Sequence, residues 1–88
     1  MKKTIVITGA GGVLCSAFAK ALAEDGHHVA LLDLNEKAAQ AVADGIVGAG
    51  GSAKAYGCNV LDKESLKAVH TKILADFGAC DILINGAG

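Results

Sequence analysis

Lys3-Thr4-Ile5-Val6-Ile7-Thr8-Gly9-Ala10-Gly11-Gly12 is the stretch that decides the fold. Lys3 to Thr8 is a short apolar, β-branched run, as expected for a buried strand. A glycine-rich turn follows. The pattern then becomes helical, with Leu14, Ala17, Phe18, Ala21 and Leu22 expected on one inward face until Asp25-Gly26. A turn that leaves a strand and opens a helix sits beside unpaired N–H groups and the positive end of the helix dipole. Where glycine leaves the approach open, a pyrophosphate can occupy that spot. Glycine also serves plain tight turns, so the stretch alone divides about evenly between the two readings.

The same alternation continues along the chain. His28 to Leu32 (HVALL) is a second buried strand, closing on Asp33. Asn35 is placed to cap a second helix, with Glu36 in its first turn and Ala39, Val42, Ala43 and Ile46 facing inward. Gly45 weakens that helix by about 1 kcal/mol relative to Ala, and Gly48-Ala49-Gly50-Gly51-Ser52 stops it. Ala53 to Asn59 reads as a weaker strand. Asp62 caps a third helix, with Leu66, Val69, His70, Ile73, Leu74 and Phe77 at helical spacing. Gly78 ends it, and Asp81 to Asn85 (DILIN) is a fourth strand running into Gly86-Ala87-Gly88.

Such alternation with short connections predicts an α/β doubly wound parallel sheet with right-handed crossovers. Four strands in the order 3-2-1-4 are expected, with helices one and two on one face and helix three on the other. No linker divides the chain, so residues 1–88 are expected to form part of a single domain.

Composition narrows the function classes. The chain has 88 residues, 52% hydrophobic and 19% charged, which implies a packed core rather than a disordered polar chain. With a net charge of -1 and scattered lysines, no basic stripe exists to follow a nucleic acid. One Tyr, two Phe and no Trp make a base-stacking platform improbable. Lys20, Glu24 and Asp25 interrupt the long apolar stretch well short of the ~20 residues a membrane span needs. Met1-Lys2-Lys3 opens like a signal peptide, but the apolar run behind it is too short for one. Cys15, Cys58 and Cys80 are odd in number and widely spaced, which argues for buried free thiols in a reducing cytoplasm. No His, Cys or carboxylate cluster has metal-ligand spacing. His27 and His28 are expected in a turn, His70 as a partly buried packing residue, and Ser16 and Ser65 lack a base in register.

Three features strengthen the phosphate reading of the glycine turn. Asp33 ends the second strand, 21 residues beyond Gly12, where a carboxylate can accept hydrogen bonds from both ribose hydroxyls of an adenosine. A carboxylate there also repels a 2′-phosphate, favouring NAD over NADP. The plainer reading of Asp33 is a turn or N-cap residue. Asn85-Gly86-Ala87-Gly88 follows the strand beside the first, at the switch point where such sheets bind ligands. Asn59-Val60 follows the third strand, within reach of an adenine edge, although Asn59 alone reads as an ordinary turn residue.

Together these residues resemble the short-chain dehydrogenase/reductase family over the whole chain. Thr8-Gly9 matches the start of the family's T-G-x-x-x-G-x-G turn, and Asn85-Gly86-Ala87-Gly88 matches its N-N-A-G or N-G-A-G motif. The resemblance implies a Rossmann-type fold and hydride transfer between a nicotinamide cofactor and a carbonyl or alcohol. It assigns Gly9, Gly11 and Gly12 to the phosphates and Asp33 to the ribose, with Thr8, Val13, Leu14 and Leu34 also among the cofactor-binding residues. Asn59 and Val60 fall to the adenine, with Asn59 standing where the family usually has Asp. Asn85, Gly86, Ala87 and Gly88 complete the set, Asn85 also in a supporting catalytic role. In register, the second and third family glycines fall on Val13 and Cys15. The phrase Gly-Gly-Val-Leu-Cys resembles the branch that includes mannonate (fructuronate) oxidoreductases, which implies a sugar-acid substrate.

The family's Tyr-x-x-x-Lys pair, which handles the proton, is missing here. The one tyrosine is Tyr56, expected to pack in the sheet, and four residues on stands Val60. The chain is therefore expected to be the cofactor-binding part of a longer enzyme and inactive alone. Two other classes remain open: a class I S-adenosylmethionine methyltransferase and a non-catalytic nucleotide-binding module. An open strand edge and uncovered apolar surface predict self-association or a homo-oligomer.

Overall fold

A computed structural model of the chain describes residues 3–10, 12–59 and 61–86, with backbone alone for Val13 and Leu14. Strand β1 (Thr4–Thr8) leads to helix α1 (Val13–Glu24), then β2 (His28–Asp33), α2 (Glu36–Gly48), β3 (Ser52–Gly57), α3 (Lys63–Asp76) and β4 (Ile82–Asn85). All three strand pairings are parallel, and the sheet order is β3-β2-β1-β4. The expected alternation and strand order are both found.

Period-two alternation divides the strands between two cores. Ile5, Ile7, Val29 and Leu31 face α1 and α2, where Ala19, Ala23, Ala39, Ala43 and Ile46 close over them. Val6, Ala30, Leu32 and Tyr56 face α3 and meet Val69 and Ile73. Burying a side chain such as Ile7 contributes about 1.5–3 kcal/mol. Truncating one to Ala costs roughly 2–5 kcal/mol, because the packed sheet cannot collapse into the void.

Helix boundaries follow the sequence closely. The Asn35 side chain accepts from the Ala38 amide at 3.3 Å, and the Asp62 side chain accepts from Glu64 and Ser65. Gly26 and Gly78 follow α1 and α3 with φ of 91° and 92°, a left-handed conformation that glycine adopts without steric cost. β3 occupies Ser52–Gly57 rather than 53–59, because Asn59 turns away into a loop.

Several side chains depart from expectation. α1 does not bury Ala17, Phe18 and Ala21, which are exposed. Its inward stripe is Cys15, Ala19, Leu22 and Ala23. Two alanines of this stripe, Ala19 and Ala23, are buried, and Phe18 is turned out. α3 contacts the sheet through a narrow stripe, Val69 and Ile73, with Phe77 partly buried. Leu66, His70 and Leu74 are left exposed. His28 opens β2 instead of lying in a turn, stacks on Phe77 at 5.4 Å, and shares a hydrogen bond with Ser52. Cys58 is buried, but Cys15 is only partly so and Cys80 is exposed.

The α3 side of the sheet is incompletely covered. A groove of about 590 Å³ runs beside α3, floored by Val6, Leu32, Val69 and Ile73 and edged by Leu66 and Leu83. Leu83, on the edge strand β4, is 65% exposed.

Candidate functional site

The carboxyl ends of β1, β2 and β4 meet at the switch point of the sheet, where the chain leaves β1 towards β2 on one side and returns as β4 on the other. Gly9 follows β1 with φ 66°, a conformation that L side chains resist. The Gly12 amide donates to the Gly9 carbonyl at 3.1 Å and closes the turn. The Ala10 amide donates to the Leu32 carbonyl at 3.1 Å, tying the turn to the end of β2. Ala10 is wholly buried, a role that sequence reading did not assign to it.

Gly12 is the N-cap of α1. It supplies no side-chain cap, and no acidic residue stands in the first turn. The other two helices both begin on a side chain that accepts from their first-turn amides. The first turn of α1 therefore presents N–H dipoles beside a glycine with open space around it. Among the described residues, a Cβ on Gly12 would meet the Gly9 carbonyl at 3.4 Å, an ordinary van der Waals contact. Such a terminus has the electrostatics and the room to take a phosphate.

Thr8 links the turn to β4. Thr8 and Asn85 are register partners, and the buried Thr8 hydroxyl donates to Asn85 Oδ1 at 2.9 Å. The Gly86 amide donates to both the Thr8 carbonyl, at 3.1 Å, and the Thr8 hydroxyl oxygen, at 3.2 Å. A Cβ on Gly86 would fall on the Cys15 sulfur and lie 2.8 Å from the Thr8 carbonyl. Sequence reading placed Cys15 at a family glycine but had no signal for its neighbour past the end of β4.

Asp33 stands at the end of β2, partly buried, with Leu34 77% exposed beside it. Asp33 Oδ1 accepts from the Asn35 amide at 2.9 Å, so the carboxylate also closes the turn into α2. Asn59 is exposed. Its Oδ1 accepts from the Leu61 amide at 3.0 Å, and its own amide donates to Ser65 Oγ at 3.1 Å. The structure therefore gives Asn59 and Ser65 loop-closing roles. Gly11, Val60, Ala87 and Gly88 lie outside the described residues, as do the side chains of Val13 and Leu14.

Tyr56 is a sheet residue, as expected. Its hydroxyl donates to Asp76 Oδ2 at 2.6 Å, and Lys54 pairs with the same oxygen at 3.0 Å. Burial pushes the phenol above its ordinary value, and the hydrogen bond and charge of Asp76 push it further. The Tyr56 hydroxyl, followed by Lys54, holds the Asp76 carboxylate below the usual range. This cluster pins the end of α3 to the edge strand, away from the turn. Among the described residues no cluster could hold a metal ion, and no helix is long and apolar enough to cross a membrane.

The family model described as short chain dehydrogenase matches residues 3–88. The chain belongs to this family. An oxidoreductase of Haemophilus influenzae is 60% identical to this short-chain dehydrogenase chain over 86 residues, which are 98% of the chain and 30% of the relative. A solved structure from Haemophilus influenza, provisionally assigned as a D-mannonate oxidoreductase with bound NAD, superposes with a TM-score of 0.96 at 60% identity. It is matched over 98% of this chain and 31% of its own. A metagenomic short-chain oxidoreductase in complex with NADP gives a TM-score of 0.85 at 33% identity, over 92% of this chain and 37% of its own. The chain thus spans about a third of the length of the relatives it matches.

Proposed function

We propose that this chain is the N-terminal part of a single NAD(P)-binding domain and holds the adenosine and pyrophosphate portions of a nicotinamide dinucleotide. The observation that carries the reading is the first turn of α1, which opens on Gly12 with no side-chain cap at the switch point of the sheet. Gly9, Gly11, Gly12, Val13 and Leu14 provide the pyrophosphate turn. Thr8 and Asn85 fix its distance from β4. Asp33, with Leu34 beside it, receives the adenosine ribose, and Asn59 and Val60 border the adenine. Gly86, Ala87 and Gly88 extend the site past β4.

The Asp33 carboxylate accepts ribose hydroxyls and repels a 2′-phosphate, so NAD is preferred over NADP. The bound NAD of the 60% identical neighbour supports this preference. In the intact protein the nicotinamide supplies hydride exchange with a carbonyl or alcohol carbon of a small-molecule substrate. A sugar acid is the favoured substrate class, in line with the assignment of that same neighbour. The chain alone has no Tyr-x-x-x-Lys pair to handle the proton and turns over no substrate. Its free thiols suit the reducing cytoplasm.

Titration of the chain with NADH and with S-adenosylmethionine tests the reading. Saturable NADH binding with no response to S-adenosylmethionine is expected. A response to S-adenosylmethionine alone, or to neither ligand, would overturn the reading.

A further inference from the structure

Glu36 ties two turns together just past the point where sheet pairing stops. The parallel pairing of β2 with β3 ends at Asp33 and Gly57, and the Cys58 amide donates to the Asp33 carbonyl at 3.0 Å. Beyond that point the two strands part, β2 into α2 and β3 into the loop before α3. Glu36 is the first residue of α2 and reaches back across the gap. Its Oε1 accepts from the Gly57 amide at 3.1 Å.

The two residues are fitted to one another. A Cβ on Gly57 would lie 2.5 Å from Glu36 Oε1 and 3.2 Å from the Glu36 Cβ, so a side chain there would force the carboxylate off the amide. Gly57 has no left-handed φ, so the missing side chain makes room for Glu36 and does not serve the backbone. Each of the parted turns is also closed from within. Asp33 Oδ1 accepts from the Asn35 amide at 2.9 Å, and Asn59 Oδ1 accepts from the Leu61 amide at 3.0 Å. Both turns hold their own shape, and the distance between them is what Glu36 sets.

Those turns carry Asp33 and Leu34 on one side and Asn59 on the other. We propose that Glu36 is a positioning residue for the adenosine end of the dinucleotide: its bond to Gly57 holds the β2–α2 turn and the loop after β3 at the spacing into which adenosine fits. This rests on the dinucleotide-binding reading above. The role requires an acceptor oxygen and no charge. Glu36 is exposed and belongs to neither core, so its substitution leaves the packing of the sheet intact.

The test titrates the native chain, Glu36→Gln and Glu36→Ala with NADH, AMP and pyrophosphate. Glutamine keeps the acceptor oxygen without the charge, and alanine keeps neither. Glu36→Ala should weaken NADH and AMP about fivefold, equivalent to one hydrogen bond of about 1 kcal/mol. Glu36→Gln should stay within about twofold of the native chain for both. Pyrophosphate meets the α1 turn alone and should bind all three alike. Without ligand, the Gly57 amide should exchange about fivefold faster in Glu36→Ala than in the other two, with the core amide of Ile7 unchanged.

Native affinities retained in Glu36→Ala would overturn the proposal and leave the dinucleotide reading standing. A Glu36→Gln variant as weak as Glu36→Ala would also overturn it, because the charge and not the bond would then matter. So would a parallel loss of pyrophosphate, which would make Glu36 a general stabiliser. A native chain that binds no NADH would overturn the dinucleotide reading, and this proposal with it.

Discussion

The Thr8 hydroxyl donates to Asn85 Oδ1 at 2.9 Å, joining the end of β1 to the end of β4 across 77 residues of sequence. The Gly86 amide donates to the same hydroxyl oxygen at 3.2 Å, so one threonine side chain serves two groups on β4. Thr8→Val keeps the shape and removes both contacts. It should cost about 0.5–1.5 kcal/mol, the net value of such a hydrogen bond, because Asn85 is exposed and the Gly86 amide keeps its bond to the Thr8 carbonyl. Chemical denaturation reads the cost, and faster exchange of the Gly86 amide should accompany it.

Asp33 has two roles that one substitution separates. Its Oδ1 accepts from the Asn35 amide at 2.9 Å, a bond that an asparagine side chain can also make. Asp33→Asn therefore keeps this turn-closing bond. Without the charge, the NADH preference over NADPH should shrink by about tenfold, or roughly 1.4 kcal/mol. An unchanged preference would leave Asp33 as a turn residue only.

The Tyr56–Asp76–Lys54 cluster makes stability depend on pH at both ends. Asp76 is more acidic in the folded chain than in the unfolded one, so its contribution is present above about pH 4 and is lost as pH falls through the folded value. Tyr56 is the reverse. Its raised folded value keeps its contribution intact below about pH 10, and stability is lost as pH rises beyond that. Thermal melts across pH should show Asp76→Asn with a shallower acid limb and Tyr56→Phe with a shallower alkaline limb.

Leu83 is 65% exposed on the open edge strand, beside the groove floored by Val6, Leu32, Val69 and Ile73. Apolar surface next to an unpaired strand edge promotes association between copies. Sedimentation velocity should detect concentration-dependent self-association of the chain. Leu83→Lys should shift it towards monomer, because a lysine on an edge strand opposes pairing.

Where local chemistry decides, the sequence was legible. Asn35 and Asp62 read as helix caps and bond as such, because a cap needs only its own first turn. The strand order followed from the alternation of elements, since short connections leave few ways to wind a parallel sheet. The inward face of α1 differs from the expected one by about one residue of helical phase, because apolar residues surround this helix and its spacing fits both the Leu14-Phe18-Leu22 stripe and the observed Cys15-Ala19-Leu22-Ala23 stripe. His70 was misread because a helical stripe says nothing about how wide its contact will be. The loop bonds of Asn59 and the Cys15–Gly86 contact depend on tertiary geometry that no local pattern carries.

The central claim is that a dinucleotide binds at the first turn of α1, between the ends of β1 and β4. Mapping backbone amide shifts during titration of the chain with NADH tests it most directly. The account predicts saturable shifts at Gly9, Gly12, Ser16 and Gly86, with Gly50 and Gly78 at the opposite end of the sheet unmoved. Shifts centred on Gly50 and Gly78, or none at the turn at saturating NADH, would contradict it.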